Sequence, residues 1–292
     1  LAGMLPIVIG LAPSQIAALV DAWMAKLMVD HTGAVAHLSY GHLLIHLPLA
    51  VSAVSIATVS FPLFSRLGAR GDLAALAASL SQALRQAFFL LAPAAVGMGL
   101  LAVPIVRMLY EGRRFDSTAT GWTAQVVQAY AWGFVAIGLQ QIAVRALYAL
   151  GDRRSPVVVS LAMVGLNVAL NLLWVGELKE RGIALATSVS AWLGLFLTAA
   201  ALARRLSFRT QGREAALSVL RILLGCAVLG LVLSVASSRG WCDGEGWAFV
   251  ARTLGTVGGG AVLYLGVVWA LGSAELKAVF SRASGVGGEA SK

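Results

Sequence analysis

Charge is scarce in this sequence: Asp, Glu, Lys and Arg make up 12% of its 292 residues, against roughly 25% in a soluble domain. That deficit excludes a water-soluble globule. Cysteine is nearly absent as well. Cys226 lies inside an apolar run and Cys242 in a short loop, which makes neither a disulfide framework nor a metal-ligand cluster. No Ser/His/Asp order, HExxH, paired-carboxylate motif or phosphate-cradling glycine loop is present, so no enzyme chemistry and no bound cofactor is expected. The glycines of GTVGGG, residues 255 to 260, sit in an apolar run and are accounted for by close helix packing. The opening stretch LAGMLPIVIGLAPSQIAALV has no basic n-region and no small-residue cleavage site. It begins on Leu1 rather than methionine, so an upstream segment is expected to precede it.

What the sequence does have is apolar length. Hydrophobic residues reach 59% and the mean hydropathy is +0.84. Eight apolar runs stand out, at about 4 to 28, 43 to 64, 86 to 106, 120 to 149, 156 to 176, 182 to 203, 217 to 237 and 247 to 271. Each is long enough to cross a bilayer as a helix. Barrel strands alternate apolar and polar residues, whereas VVVSLAMVGLNVALNLLWVG is continuously apolar, so a barrel is excluded. The fold class expected is all-α, a polytopic membrane bundle of about eight transmembrane helices. DLAALAASLSQALRQ, between the second and third runs, puts Leu73, Leu76, Ala77, Leu80 and Leu84 on one helical face and reads as a separate interfacial helix.

The net charge of +9 reflects loop residues of a membrane protein rather than a nucleic-acid surface. One set of alternate loops and the tail holds Arg66, Arg70, Arg85, Arg153, Arg154, Arg204, Arg205, Arg209, Arg213, Arg221, Lys277, Arg282 and Lys292. The other holds Lys26, Arg107, Arg113, Arg114, Lys179, Arg181 and Arg239, diluted by seven acids. Because cytoplasmic loops retain Lys and Arg, this asymmetry places both termini in the cytoplasm. The Gly- and Ser-rich tail, residues 273 to 292, is expected to be disordered.

Ionisable groups inside spans are costly, so each is expected to face the bundle interior or a wet cavity. They are Asp21, His46, Arg145 and Arg252, with His42 nearer the outer mouth. Asn167 and Asn171 are four apart and share a helix face. With Asp21 and Thr187 they offer hard oxygen ligands of the kind a sodium ion needs. Interhelical hydrogen bonding is the competing reading. For Arg145 the competing reading is snorkelling to the cytoplasmic interface, and for His46 a neutral, hydrogen-bonded imidazole.

Four stretches in order resemble one family. They are GAVAHLSYGHLLIHLPLAVSAVSIATVSFPLFSRLGARGD (33 to 72), PAAVGMGLLAVPIVRMLYEGRRFDSTAT (93 to 120), ALYALGDRRSPVVV (146 to 159) and ERGIALATSVSA (180 to 191). The family is the MurJ/MviN lipid II flippases of the multidrug/oligosaccharidyl-lipid/polysaccharide exporter superfamily. The resemblance covers nearly the whole chain and matches spans seven to fourteen of a fourteen-helix fold. It implies that residues 1 to 205 are the second lobe, that 206 to 272 are two additional C-terminal helices, and that the N-terminal lobe is a missing partner.

The resemblance also implies a function. Lipid II, a polyprenyl-pyrophosphate glycolipid precursor of peptidoglycan, would move from the inner to the outer leaflet of the bacterial inner membrane by alternating access. Tyr40, His42, His46 and Arg145 would face the substrate cavity. In the family's Y-A-D-R-L motif this sequence reads Tyr40, Gly41, His42, Leu43, Leu44, so the family's cavity arginine is a leucine here. The family's sodium site would map onto Asp21, Asn167, Asn171, the Ile183 carbonyl and Thr187. Export of another glycolipid or a drug-like cation, or a non-transporting scaffold for cell-wall synthesis, are the alternatives.

Overall fold

A computed structural model describes residues 19–27, 29, 33–112, 115–207, 212–242, 244 and 246–273. Residues 4 to 18 of the expected first span, and the tail from 274 onward, lie outside the described residues. In lipid every backbone polar group must be satisfied within its own segment, and the described chain does this with helices. Residues 19–27 form α1. They are followed by α2 (Ala34–Leu49), a π-helical turn (Ala50–Val54), α3 (Ser55–Ala69), α4 (Leu73–Leu100) and α5 (Ala102–Tyr110). The rest of the bundle is α6 (Ser117–Ala149), α7 (Arg154–Ala203), α8 (Gly212–Ser238) and α9 (Gly246–Ala270).

Two boundaries differ from the hydropathy reading. The second span is one unbroken path from Ala34 to Ala69. Pro48 cannot donate to the helix ladder and crowds the preceding turn. The chain answers with the π turn immediately after it, and the Ser52 hydroxyl donates to the Pro48 carbonyl at 2.6 Å. The expected interfacial helix is also not separate. DLAALAASLSQALRQ is the first half of α4, and Leu76, Ala77 and Leu80 are fully buried in the core rather than laid on a membrane surface. An apolar stripe at helical spacing fits a lipid surface and a protein neighbour equally well, so the sequence pattern could not separate them.

Asp72 and Asp116 start α4 and α6 by accepting from the backbone N–H three residues on, at 3.0 and 2.8 Å. The 50-residue α7 is two antiparallel spans joined at Lys179, whose φ of 52° breaks the helical path. Asn167 and Thr187, on opposite sides of that break, are hydrogen-bonded to each other.

At the centre, α6 packs against α2, α3, α4, α5 and α7. Its approach to the second half of α7 is set by small residues, as expected where lipid supplies no hydrophobic drive between helices. A Cβ added at Gly133 would lie 2.5 Å from the Ser188 Cα, and the buried Ser188 hydroxyl donates to the Ala129 carbonyl at 2.7 Å. Gly133→Ala is therefore expected to push the two helices apart and destabilise the bundle by about 1–3 kcal/mol, measured by thermal unfolding in detergent.

A second, smaller core joins α8 and α9 to α4, with Phe89 and Ala92 packed among Ile222, Leu229, Leu233, Tyr264 and Val268. The Tyr264 hydroxyl donates to the Phe89 carbonyl at 2.9 Å. The outside of the bundle is apolar: Trp247 is 88% exposed and Trp132 75%. Such a surface is suited to acyl chains.

The α6–α7 loop is built around Asp152. It accepts from the backbone N–H of Ser155 (3.0 Å) and Arg154 (3.1 Å) and from the Ser155 hydroxyl (2.7 Å), and it pairs with Arg205 at 2.9 Å. These donors, the Ser155 N–H foremost, hold its carboxyl below the usual carboxylate range. A depressed folded-state pKa gives stability that is fully present above the unfolded value of about 3.9 and is lost as pH falls through the folded value. Asp152→Ala is expected to cost about 1–2 kcal/mol at neutral pH. The difference from the parent should shrink as pH is taken below about 4, which unfolding curves at both pH values would show.

Candidate functional site

The helices bring one set of expected residues together. Asn171, on the first half of α7, donates to Asp21 Oδ1 on α1 at 2.6 Å. Thr187, on the second half, donates to Asp21 Oδ2 at 3.2 Å and lies 3.2 Å from the Ile183 carbonyl. Asn167 bridges whichever way its amide is turned. In one orientation its Nδ2 donates to Thr187 Oγ1 at 3.2 Å. In the other, Nδ2 donates to Asp21 Oδ1 at 3.1 Å and Oδ1 accepts from Thr187 Oγ1 at 3.2 Å. Three helical segments far apart in sequence thus meet through Asp21, Asn167, Asn171, Thr187 and the Ile183 carbonyl.

The electrostatics of this cluster are one-sided. Among the described residues no Lys, Arg or His pairs with Asp21, and Asn171 Oδ1 is buried without a hydrogen-bond partner. A half-buried carboxylate without a counter-charge, next to a buried acceptor without a donor, is costly as it stands. Both costs are relieved by a small hard cation, which accepts oxygen ligands only. A sodium ion fits the donor set: Asp21, Asn167, Asn171, Thr187 and the Ile183 carbonyl would hold it, and it would supply the missing positive charge. Among the described residues no three His, Cys, Asp or Glu side chains gather in the manner of a transition-metal cluster.

The four residues expected in the substrate cavity fall in three places. His42 and His46, one turn apart on α2, meet with their Nε2 atoms 2.9 Å apart and ring centroids 4.0 Å apart, on an exposed face. Tyr40 instead joins an aromatic group, 4.7 Å from the Tyr110 ring and 5.6 Å from Phe115. Arg145 lies near the other end of the bundle and donates to Thr58 Oγ1 at 2.9 Å. The Tyr130 ring meets the His42 ring edge-on, with centroids 6.0 Å apart.

One polar contact was missed in the sequence reading. His37 Nδ1 lies 2.9 Å from Glu180 Oε1, and both residues are buried, at 5% and 0% exposure. Glu180 reads in the sequence as a loop acid that dilutes basic charge. Nothing in local spacing ties it to a histidine 143 positions earlier. A histidine embedded in the apolar run AVAHLSYGHLL was the only available sign.

An open helix face carrying His42 and His46 and a cluster of oxygen ligands, inside an apolar all-helical bundle, define a multi-pass membrane protein. A sequence model described as "Lipid II flippase MurJ" matches residues 1–245, and the chain belongs to that family. Among its relatives is a probable lipid II flippase MurJ of Rickettsia prowazekii, 29% identical over 205 residues, which are 70% of this chain and 40% of that protein. Another, from Vibrio cholerae, is 27% identical over 274 residues, 92% of this chain and 51% of the relative. This chain thus spans about half the length of the relatives it matches. In structure it is similar to a lipid II flippase MurJ in an inward closed conformation, with TM-score 0.72, 24% identity, and 90% of this chain and 51% of that one covered. A MATE transporter in a bent conformation shares the fold at TM-score 0.57 and 16% identity, covering 96% of this chain and 67% of that one.

Proposed function

We propose that this chain forms the second lobe, residues 1 to 205, and the two final helices, 206 to 272, of a flippase that moves lipid II across the bacterial inner membrane. The observation that carries the reading, beside family membership, is the open His42/His46 face of α2. His42 lies eight residues into the helix, about 12 Å from its start, and His46 another turn deeper. At that depth imidazoles are expected to face a wet cavity rather than lipid. A cavity between this lobe and an N-terminal partner lobe supplies one. There the pyrophosphate of the glycolipid is held while its polyprenyl tail stays in the membrane, and rocking of the two lobes exposes the head group on the other side. No covalent bond is made or broken. The Arg-rich loops face the cytoplasm, and both ends of the chain lie there. A sodium ion at Asp21 couples the motion to an ion gradient.

A second reading is favoured by Leu43, which stands where the family motif has arginine. Leucine cannot make guanidinium's bidentate contact with phosphate, and that fits a different glycolipid or amphipathic cargo. The test is complementation. The chain is expressed together with an N-terminal lobe in cells depleted of their lipid II flippase, with a Leu43→Arg version alongside, and growth and lipid II translocation are scored. Rescue by the native sequence is the expected result. Rescue by Leu43→Arg alone would point to a cavity diverged toward another cargo. Failure of both, with correct membrane insertion, overturns the lipid II reading.

A further inference from the structure

The imidazole pair has a geometry that cargo contact alone does not require. His42 and His46 are separated by one helical turn, and their Nε2 atoms are 2.9 Å apart. Two nitrogens that each lie 2.0–2.1 Å from one ion, the usual metal–imidazole distance, subtend about 90° at that spacing. That is the angle between two neighbouring positions of an octahedral or square-planar ion. Among the described residues each imidazole's only hydrogen bond is to the other. One of the two must therefore accept through an Nε2 lone pair, and the contact is kept between neutral rings only when the two hold opposite tautomers. A bound ion would use both lone pairs.

The surroundings leave room for it. The face is open: Leu43 and Leu47, beside the two histidines, are exposed as well, so no protein group among the described residues caps the pair. The pair itself is held in place, because α2 packs against α6 and α7 and the Tyr130 ring backs His42.

We propose that His42 and His46 chelate one divalent first-row transition-metal ion, such as Ni2+ or Co2+, on the open face of α2. With two protein ligands the ion keeps vacant positions directed into the open space, and phosphate oxygens are ligands it accepts there. This last step rests on the flippase reading: the metal supplies, one residue from Leu43, the positive charge that the family's arginine supplies elsewhere. The pair is distinct from the oxygen cluster at Asp21, whose hard ligands suit an alkali cation.

The test is calorimetric titration of Ni2+ into the detergent-purified protein after removal of any affinity tag, with His42→Gln and His46→Gln alongside. The expected result is one ion per chain, with affinity weakened about tenfold or more in each variant. Unfolding midpoints without metal should match the parent, since both side chains are exposed. Absent binding, or binding equal in all three proteins, overturns the chelate and leaves the flippase reading to be judged by complementation. The titration is repeated with inorganic pyrophosphate present. Tighter Ni2+ binding than in the parent alone, lost in both variants, supports phosphate at the vacant positions. Unchanged binding overturns that phosphate role while upholding the chelate.

Discussion

Replacing His37 with leucine is expected to destabilise the bundle by about 1.5–3 kcal/mol, because it removes a buried hydrogen bond to a carboxyl. His37 Nδ1 and Glu180 Oε1 are 2.9 Å apart, and neither side chain has appreciable contact with solvent. The contact joins the start of α2 to the second half of α7 directly after its turn at Lys179. Breaking it from either side removes a 2.9 Å contact made out of reach of water. The expected order is that Glu180→Leu and His37→Leu each cost most of that amount. The double variant should cost clearly less than the sum, with a coupling of about 1–3 kcal/mol in a double-mutant cycle. The measurement is unfolding in detergent at fixed pH and salt. Additive losses would show that the two side chains are stabilised by other neighbours and that their mutual contact is incidental.

That contact marks where sequence reading stops. The helices were legible because lipid leaves a spanning chain little choice: long apolar runs become helices, and Asp72 and Asp116 cap theirs by local chemistry. The limits of the helices were less legible. Hydropathy sees the lipid core, whereas α2 and α3 run on as one rod through a π turn, from Ala34 to Ala69. The apolar face at Leu73 to Leu84 was visible as a stripe, but what covers it was not, because its partners belong to other elements.

The site divides in the same way. Asn167 and Asn171 share a face through helical periodicity alone, hard-oxygen ligand chemistry grouped them with Asp21 and Thr187, and the family resemblance added the Ile183 carbonyl. Their meeting depends on two tertiary facts, the fold-back at Lys179 and the docking of α1 against α7. The cavity residues show the opposite case. Tyr40 lies two positions from His42, yet on a helix two residues are about 200° apart, so the two face different neighbours. Tyr40 accordingly joins Tyr110 and Phe115 while His42 joins His46.

The second large effect concerns Asp21. If the oxygen cluster holds sodium, the ion binds the folded protein and not the unfolded chain, and stability must rise with its concentration. At ten to a hundred times the dissociation constant the gain is about 1.4–2.7 kcal/mol, a rise of several degrees in the unfolding midpoint for a chain of this size. Potassium at equal ionic strength serves as the control, because screening acts alike for both salts while a small oxygen cage discriminates by size. Asp21→Asn keeps the shape but removes the charge and replaces one acceptor oxygen with an NH2 donor. It is expected to abolish the sodium-specific rise and, in the complementation assay, to abolish transport. The two readings of the cluster predict opposite signs for the midpoint in sodium-free buffer. If Asp21 is an uncompensated carboxylate waiting for a cation, Asn at that position relieves the burial cost and the midpoint rises. If the cluster is interhelical glue, losing the charge-assisted bond from Asn171 at 2.6 Å lowers it. A sodium-specific rise in the parent, its loss in Asp21→Asn and an unchanged or higher sodium-free midpoint would together assign the cluster to ion binding. A lower midpoint with no sodium dependence in either protein would assign it to packing.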